Sequence, residues 1–363
     1  MFKRILLCIF LVLILLSQYL NNISNISYSI KNHKNINVLV AIKGFDNLNQ
    51  NTLKLVLFQY CHKTKSLKVL CINDKITILQ KKKKSQTLNE MFFSQKEDEQ
   101  VDFIKKEIEL LLDNKLKINY YVLSNTKTLQ LFVKLFDEKK IIKQLGNNYF
   151  EQFVNNKEYI LSIIYMIKII KYVIANTNRY ILVDFIKFLD AGNYLITNFK
   201  LSDCFFLYSK IKNIDMNTIQ FADIPTINKR NRIELEPAGL MAIIEFLNDD
   251  KDIRHFAQNQ NDKVKIEVIN ASSKNRLASK AVDKLRKNKF DIYEWGVTSY
   301  KIHEYTIIFD LINNYEQAVK VKNILNSGEI IFRPIEKTFI DISVLLGKDC
   351  TIYDKLDKID KSY

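Results

Sequence analysis

The sequence predicts an α/β protein: an N-terminal membrane helix, a mixed α/β domain with a central sheet, and a small C-terminal β-α-β-β-α-β domain. Three observations carry that prediction. An unbroken apolar run opens the chain. Strand-length apolar runs alternate with amphipathic stretches through its body. A polar, charged segment at residues 248–262 separates a long module from a short one.

The opening run is Ile5 to Leu16, extended by Ser17 to Leu20, behind Met1-Phe2-Lys3-Arg4. Basic residues are retained on the cytoplasmic side. Residues 1–20 therefore read as a single-pass anchor in the cytoplasmic membrane, N-terminus inside and the bulk exported. The run is about 16 residues, where roughly 20 span a bilayer, so a cleaved signal peptide is the competing reading. Its exit, SQYLNNISN, offers Ser17 but no small pair of the kind cleavage needs. Cys8 follows Leu6-Leu7 and lacks the small residues that precede a lipid-modified cysteine. Residues 21–35 form a polar Asn/Ser-rich stalk.

The chain's 363 residues are enough for two medium domains and a sizeable core. Only 3 Pro and 7 Gly stand against abundant Lys, Asn and Ile, a bias of AT-rich coding that weakens inference from any one lysine. A net charge of +15 fits a polyanionic partner (a lipid headgroup, a pyrophosphate or nucleic acid) or that same bias on a solvated surface. Export speaks against nucleic acid. Nearly all the positive charge is Lys; Arg, the residue suited to forked phosphate contacts, is scarce. The cysteines Cys8, Cys61, Cys71, Cys204 and Cys350 make no CxxC pair, although Cys61 and Cys71 flank one turn and are placed to bridge a hairpin. The 4 His are scattered, so no metal-ligand spacing arises and no cofactor is implied. Gly-rich phosphate loops, G-x-S-x-G and H-E-x-x-H are all missing.

Residues 36–247 form the first module. Ile36–Ile42 reads as a buried strand, Thr52–Tyr60 and Leu67–Ile72 as a strand pair about the turn His62–Ser66. Lys81–Lys84 is a solvated loop or a phosphate-facing edge. Val101–Leu112 has helical apolar spacing, Ile118–Leu123 is a strand, and Thr126–Phe136 a short helix. Glu158–Ala175 is the most apolar stretch after the anchor, interrupted by Lys168 and Lys171. It reads as a buried helix, a lipid-groove helix, or a second span that two central lysines would make costly. Phe185–Leu189 and Ser202–Ile211 are further helices. Asn228–Arg232 is a basic turn containing Arg230 and Arg232, and Gly239–Leu247 a closing helix.

The second module spans residues 263–350, before a polar tail at 351–363. Val264–Asn270 alternates as a strand, and Leu277–Leu285 is a helix with Leu277, Ala278, Ala281, Val282 and Leu285 on one face. A strand beginning at Lys289 follows, then a strand at Tyr305–Leu311, a helix at Tyr315–Leu325 and a strand at Ile340–Leu346.

The segments VKIEVINASSKNRLASKAVDKLRKNKFDIYEWG, YTIIFD and DISVLLGKDC resemble, in order, the C-terminal domain of the LytR-CpsA-Psr family. Asn270-Ala271-Ser272 stands where that family has Asn-Gly-Thr, and Asn288-Lys289-Phe290 where it often has Gly before an aromatic. NVLVAI, NTLKLVLFQY, SLKVLCIND and NYYVLSNTKTLQLFVKLF are similar to elements of the family's preceding domain. The resemblance implies, for that domain, a phosphotransferase that moves a glycopolymer from a polyprenyl-pyrophosphate lipid to the cell envelope, with arginines and carboxylates holding pyrophosphate and a divalent metal.

Those residues do not carry over. Asn49-Gln50-Asn51-Thr52 stands where an Arg-Ser-Asp-Thr motif belongs. Asn73-Asp74-Lys75-Ile76 stands near a Pro-Arg-Asp-Thr motif, with Asp74 matching only across a gap. No Arg lies between Leu145 and Ala175. Without them a pyrophosphate leaving group has nothing to stabilise its charge. The expectation is a membrane-anchored, non-catalytic envelope protein that binds a lipid-linked glycan or wall polymer. The weakest-signal binding candidates are Lys168, Lys171, Arg230 and Arg232. The alternative is an active transferase, using Mg, rebuilt from those residues and Lys81–Lys84.

Overall fold

The computed structural model describes residues 35–45, 50–78, 85–125, 128, 163–164, 167, 195–215, 218–229, 232–249, 264–298, 302–335, 339–350 and 352. The expected anchor, Lys81–Lys84, the helix at Phe185–Leu189 and the linker core lie outside them, as do the stalk before Asn35, the tail apart from Ile352, and most of Thr126–Phe136 and Glu158–Ala175. Among the described residues no helix is long and apolar enough to cross a membrane. The chain divides into two compact units, residues 1–219 and 220–363.

In the first unit, β1 (Ile36–Phe45), β2 (Asn51–Cys61) and β3 (Ser66–Ile72) form an antiparallel meander. The short pair β4 (Thr77–Ile78) and β5 (Gln86–Thr87) leads into α1 (Leu88–Ser94). Then come α2 (Gln100–Leu111), β6 (Tyr120–Asn125), β7 (Leu195–Thr197) and α3 (Leu201–Lys212). The sheet order is β3-β2-β1-β6-β7, with β1 parallel to β6. A parallel partner needs a crossover, and α1 and α2 supply it.

Local chemistry explains these elements. Thr87 caps α1: its side chain accepts the Glu90 N–H at 3.1 Å, and Glu90 accepts the Thr87 N–H at 2.8 Å. In α2, Val101, Ile104 and Ile108 are buried at helical spacing. Every residue of β3 is buried, as befits a strand covered on both faces. The start of β1 is held by amides. Asn37 donates from its side chain to the Lys117 carbonyl (2.9 Å), and Asn37 Oδ1 accepts from Gln59 (3.1 Å). The Asn37 backbone N–H donates to Asn119 Oδ1 (3.0 Å). Cys61 lies in β2 and Cys71 in β3, both buried. No disulfide joins them across the hairpin, because the register sets Cys61 opposite Ser66 and Cys71 opposite Val56.

The second unit contains β8 (Ile219–Asp223, which begins at the division), the hairpin β9 (Thr226–Lys229) and β10 (Arg232–Leu235), and α4 (Pro237–Asn248). It continues with β11 (Lys265–Asn270), α5 (Leu277–Lys287), β12 (Asp291–Val297), β13 (Ile307–Asp310), α6 (Tyr315–Leu325), β14 (Glu329–Phe332) and β15 (Ile342–Leu346). Its strands run in the order β12-β11-β15-β13-β14-β8. Only β13 and β15 pair antiparallel; the other neighbours are parallel. The C-terminal module therefore has one strand more than the β-α-β-β-α-β expectation. The extra strand, β14, is four residues between Gly328 and Pro334. It is nearly all buried, so it shows no alternation to betray it. Helices α5 and α6 share one core with these strands, through Ala281, Leu285, Val321 and Leu325 against Val268, Ile308 and Val344.

Asp310 joins β13 to α6. Its Oδ1 accepts the N–H of Asn314 at 2.9 Å, and Asn314 in turn caps α6 through Gln317 N–H. Its other oxygen, Oδ2, is buried without a hydrogen-bond partner. Burial pushes this carboxyl up to about 6. A carboxyl raised by folding binds more protons in the native state, so its contribution is stabilising at low pH and is lost as pH rises from about 4 to about 6. Wild type should therefore lose about 1–3 kcal/mol over that range relative to Asp310→Asn, measured as the difference between their denaturation curves.

Candidate functional site at the strand ends of the first unit

The carboxyl ends of β1, β3 and β6 and the start of β2 meet at one end of the first sheet. Open α/β sheets commonly bind ligands at such an end. Continuing the β2–β3 register by two residues sets Asp74 opposite Leu53. Accordingly Asp74 Oδ2 accepts the Leu53 N–H at 3.4 Å. The Asp74 carbonyl accepts the Asn89 N–H at 2.9 Å, and Asn89 Nδ2 donates to the Asn51 carbonyl at 3.0 Å. The first turn of α1 is thereby stitched to the start of β2 and the end of β3. Asn89 Oδ1 is buried with no hydrogen-bond partner.

Charge at this end is unusual. Lys54 follows Leu53 in β2, and burial lowers its ammonium to about 8, opposed by Asp74. Asp74 is itself raised by burial, opposed by the Leu53 N–H and by Lys75 and Lys54. Lys43, near the end of β1, pairs with Glu97 at 3.0 Å, but Glu97 is 80% exposed, so the pair contributes little. Asn125, at the end of β6, accepts from the Thr128 N–H (3.0 Å) and hydroxyl (3.1 Å).

Magnesium prefers several carboxylate, phosphate and water oxygens in octahedral array. Asp74 is one carboxylate among Lys54, Asn51 and Asn89, and among the described residues no three acidic, His or Cys side chains gather to hold a metal. The described donor set does not fit the ion.

Of the candidates from sequence, Lys168, Lys171 and Arg230, with Lys81–Lys84, lie outside the described residues. Arg232 opens β10 in the second unit, exposed, opposite Lys229 in the hairpin. Sequence reasoning passed over Lys54 and Asn89. A lysine within the apolar strand TLKLVLFQY and the Thr-x-x-Glu cap ahead of a short helix were the available signals.

The landmarks of the second module form a structural lock. Asn270 Oδ1 accepts from Ser272 N–H (3.0 Å) and hydroxyl (2.8 Å), and Asn270 Nδ2 donates to the Lys274 carbonyl (2.9 Å). Lys274 Nζ donates to the Cys350 carbonyl at 2.8 Å, joining this turn to the last one. Asp349 Oδ1 accepts from the Thr306 N–H and hydroxyl, both at 2.7 Å, and the Thr306 hydroxyl accepts the Gly347 N–H at 3.0 Å. Gly347 lies so close to the Tyr305 carbonyl that no side chain fits. Residues 263–349 match the family model described as LytR cell envelope-related transcriptional attenuator. The C-terminal module is a LytR-type domain. The Asn270 turn and the Gly347–Cys350 ending are its closure.

No curated protein matches the chain significantly. Among solved structures, the chain is similar to TagT bound to LIIa-WTA, at 16% identity over 60% of this chain and 90% of that one, TM-score 0.43. It is also similar to B. subtilis TagV, at 12% identity over 60% of this chain and 97% of that one, TM-score 0.44.

Two outcomes are expected. Gly347→Ala should destabilise the protein by about 3 kcal/mol, read as a lowered unfolding midpoint, because the backbone it meets cannot yield. In an amine-selective NMR titration Lys54 should lose its proton near 8, ahead of the exposed lysines; a midpoint at the ordinary lysine value would contradict its burial.

Proposed function

We propose that this chain is a cell-envelope protein, anchored by residues 1–20 with its bulk exported, whose first unit is a diverged and non-catalytic relative of glycopolymer transferases. The domain limits proposed are residues 36–247 and 263–350, joined by the 248–262 linker. The partner proposed is a lipid-linked glycan or a wall polymer, held without turnover.

The observation that supports loss of catalysis is the commitment of Asp74. Its carboxylate is buried against the Leu53 N–H, and its carbonyl holds α1. Asn51 takes the place where the resemblance asks for an acid, and its carbonyl is bound by Asn89. Groups that hold strands together are poorly placed to hold a pyrophosphate and metal. The LytR-type domain at 263–349 supports the envelope setting.

One observation favours the second reading, an active transferase with substituted ligands. Lys54, lowered to about 8 beside Asp74, could exchange a proton near neutral pH.

Detergent-solubilised full-length protein, incubated with a polyprenyl-pyrophosphate-linked glycan and magnesium, should bind the lipid and release no polyprenyl phosphate. Release that Lys54→Met abolishes would establish the second reading. For topology, a reporter that works only outside the cytoplasm, fused after Asn35, should be active; activity only of a cytoplasmic reporter would refute export.

A further inference from the structure

Helix α5 is the most polarised element of the LytR-type domain. Its buried face, Leu277, Ala278, Ala281, Val282 and Leu285, is spent in the core. At about 100° per residue, Arg276, Lys280, Lys284 and Lys287 fall within about 80° of the opposite circumference. Arg276, Lys284, Arg286 and Lys287 are exposed, as is Lys289 just past the helix end, with Asp283 the acid among them. None of Lys284, Arg286, Lys287 and Lys289 makes an ion pair among the described residues, while Lys320, Lys322 and Lys348 elsewhere in the domain each pair with a glutamate. Lys284, Arg286, Lys287 and Lys289 thus present positive charge that no acid among the described residues pairs.

The next element in the chain is β12, which packs on α5 and is the edge strand of its sheet. Tyr293 is 56% exposed, Trp295 50% and Val297 75%. Trp295 is the chain's single tryptophan. Between β11 and β12 the register slips at Ile266/Glu267, leaving Tyr293 as the extra residue of a bulge. Bulges of this kind turn side chains out of the ordinary alternation and blunt an edge against strand addition.

We infer that α5 and β12 together form a docking surface for a phosphate-bearing glycan chain. Lysines at successive turns, about 6 Å apart along the axis, suit repeating phosphates. Exposed Tyr and Trp rings suit the apolar faces of sugars and contribute without much ordering cost, having two torsions each. An anionic membrane is disfavoured as occupant because an interfacial helix must bury its apolar face in lipid, and the apolar face of α5 is already buried in protein. This surface belongs to the second unit, and the strand-end cluster to the first. It rests on the envelope setting proposed above but not on whether that unit is catalytic.

The test uses full-length protein in zwitterionic nanodiscs and three probes: glucosylated poly(glycerol phosphate), the same polymer without sugar, and vesicles of phosphatidylcholine with phosphatidylglycerol. Wild type should bind the glucosylated polymer best, with affinity falling as salt rises. Lys284→Glu with Lys287→Glu should weaken both polymers about tenfold and flatten the salt dependence. Tyr293→Ala with Trp295→Ala should erase the preference for the glucosylated polymer and leave the bare one unchanged. Trp295→Leu, which keeps apolar bulk without an aromatic face, should lower that preference if the double variant proves unfolded by circular dichroism. Undiminished binding by the charge-reversed variant would overturn the inference. So would a wild type indifferent to the sugar, or vesicles that compete better than either polymer. Loss of polymer binding would leave the turnover and topology experiments standing, so the two readings fail separately.

Discussion

The pairing of β1 on both of its edges organises the first unit. One edge takes β2 antiparallel and the other takes β6 parallel. The second arrangement obliges the chain to cross over between β3 and β6, and α1 and α2 are that crossing. Asn37 makes the arrangement unambiguous: its backbone and side chain bind Asn119 and Lys117 ahead of β6, and its carboxamide oxygen takes Gln59 of β2. An unpaired buried amide is expensive, so a shifted register would leave several such groups unsatisfied. Once that register holds, the ends of β1, β3 and β6 lie together, and the polar cluster of Asn51, Lys54, Asp74 and Asn89 follows from it.

The polar groups of that cluster hold the architecture together. Asp74 completes the β2–β3 ladder where the backbone pairing stops, and Asn89 fastens α1 beneath it. Lys54 bears the desolvation that results, and the nearby carboxylate offsets only part of it. A buried lysine and a buried carboxyl that each drift toward neutrality make a weak anion or metal site, whatever their position in the fold.

The LytR-type domain is held differently. Its apolar core is ordinary, but its closure depends on a few polar contacts between segments distant in sequence: Asn270 with Ser272, Lys274 with Cys350, Thr306 with Asp349. Gly347 is needed because its backbone passes against Tyr305. On the β8 side, Arg333 grips Asp223 Oδ2 through Nε at 3.1 Å and Nη2 at 2.8 Å and lies 4.1 Å from the centre of the Phe309 ring. Burial still holds the Asp223 carboxyl above its ordinary range despite that arginine. The α5 face opposite the core and the β12 edge stay exposed.

Periodicity was sufficient for the elements that present one apolar face. The helix at Val101–Leu112 is α2, the helix at Leu277–Leu285 is α5, and the strands from Ile36 and Leu67 are β1 and β3, each within a few residues. The family of the second domain was also legible, since its landmarks are turn residues whose chemistry is local in sequence. Elements stabilised by long-range contact were not. β14 is four residues buried between strands, β7 is three residues, and β8 is held by β14 across a wide sequence gap. The site shows the same divide. The sequence showed that arginine is scarce beside lysine and that Asn49 and Asn51 stand where the resemblance asks for an arginine and an aspartate. Only the tertiary structure decided that Lys54, Asp74 and Asn89 converge, because their convergence comes from strand register and helix docking, and neither is written in the spacing of the residues themselves.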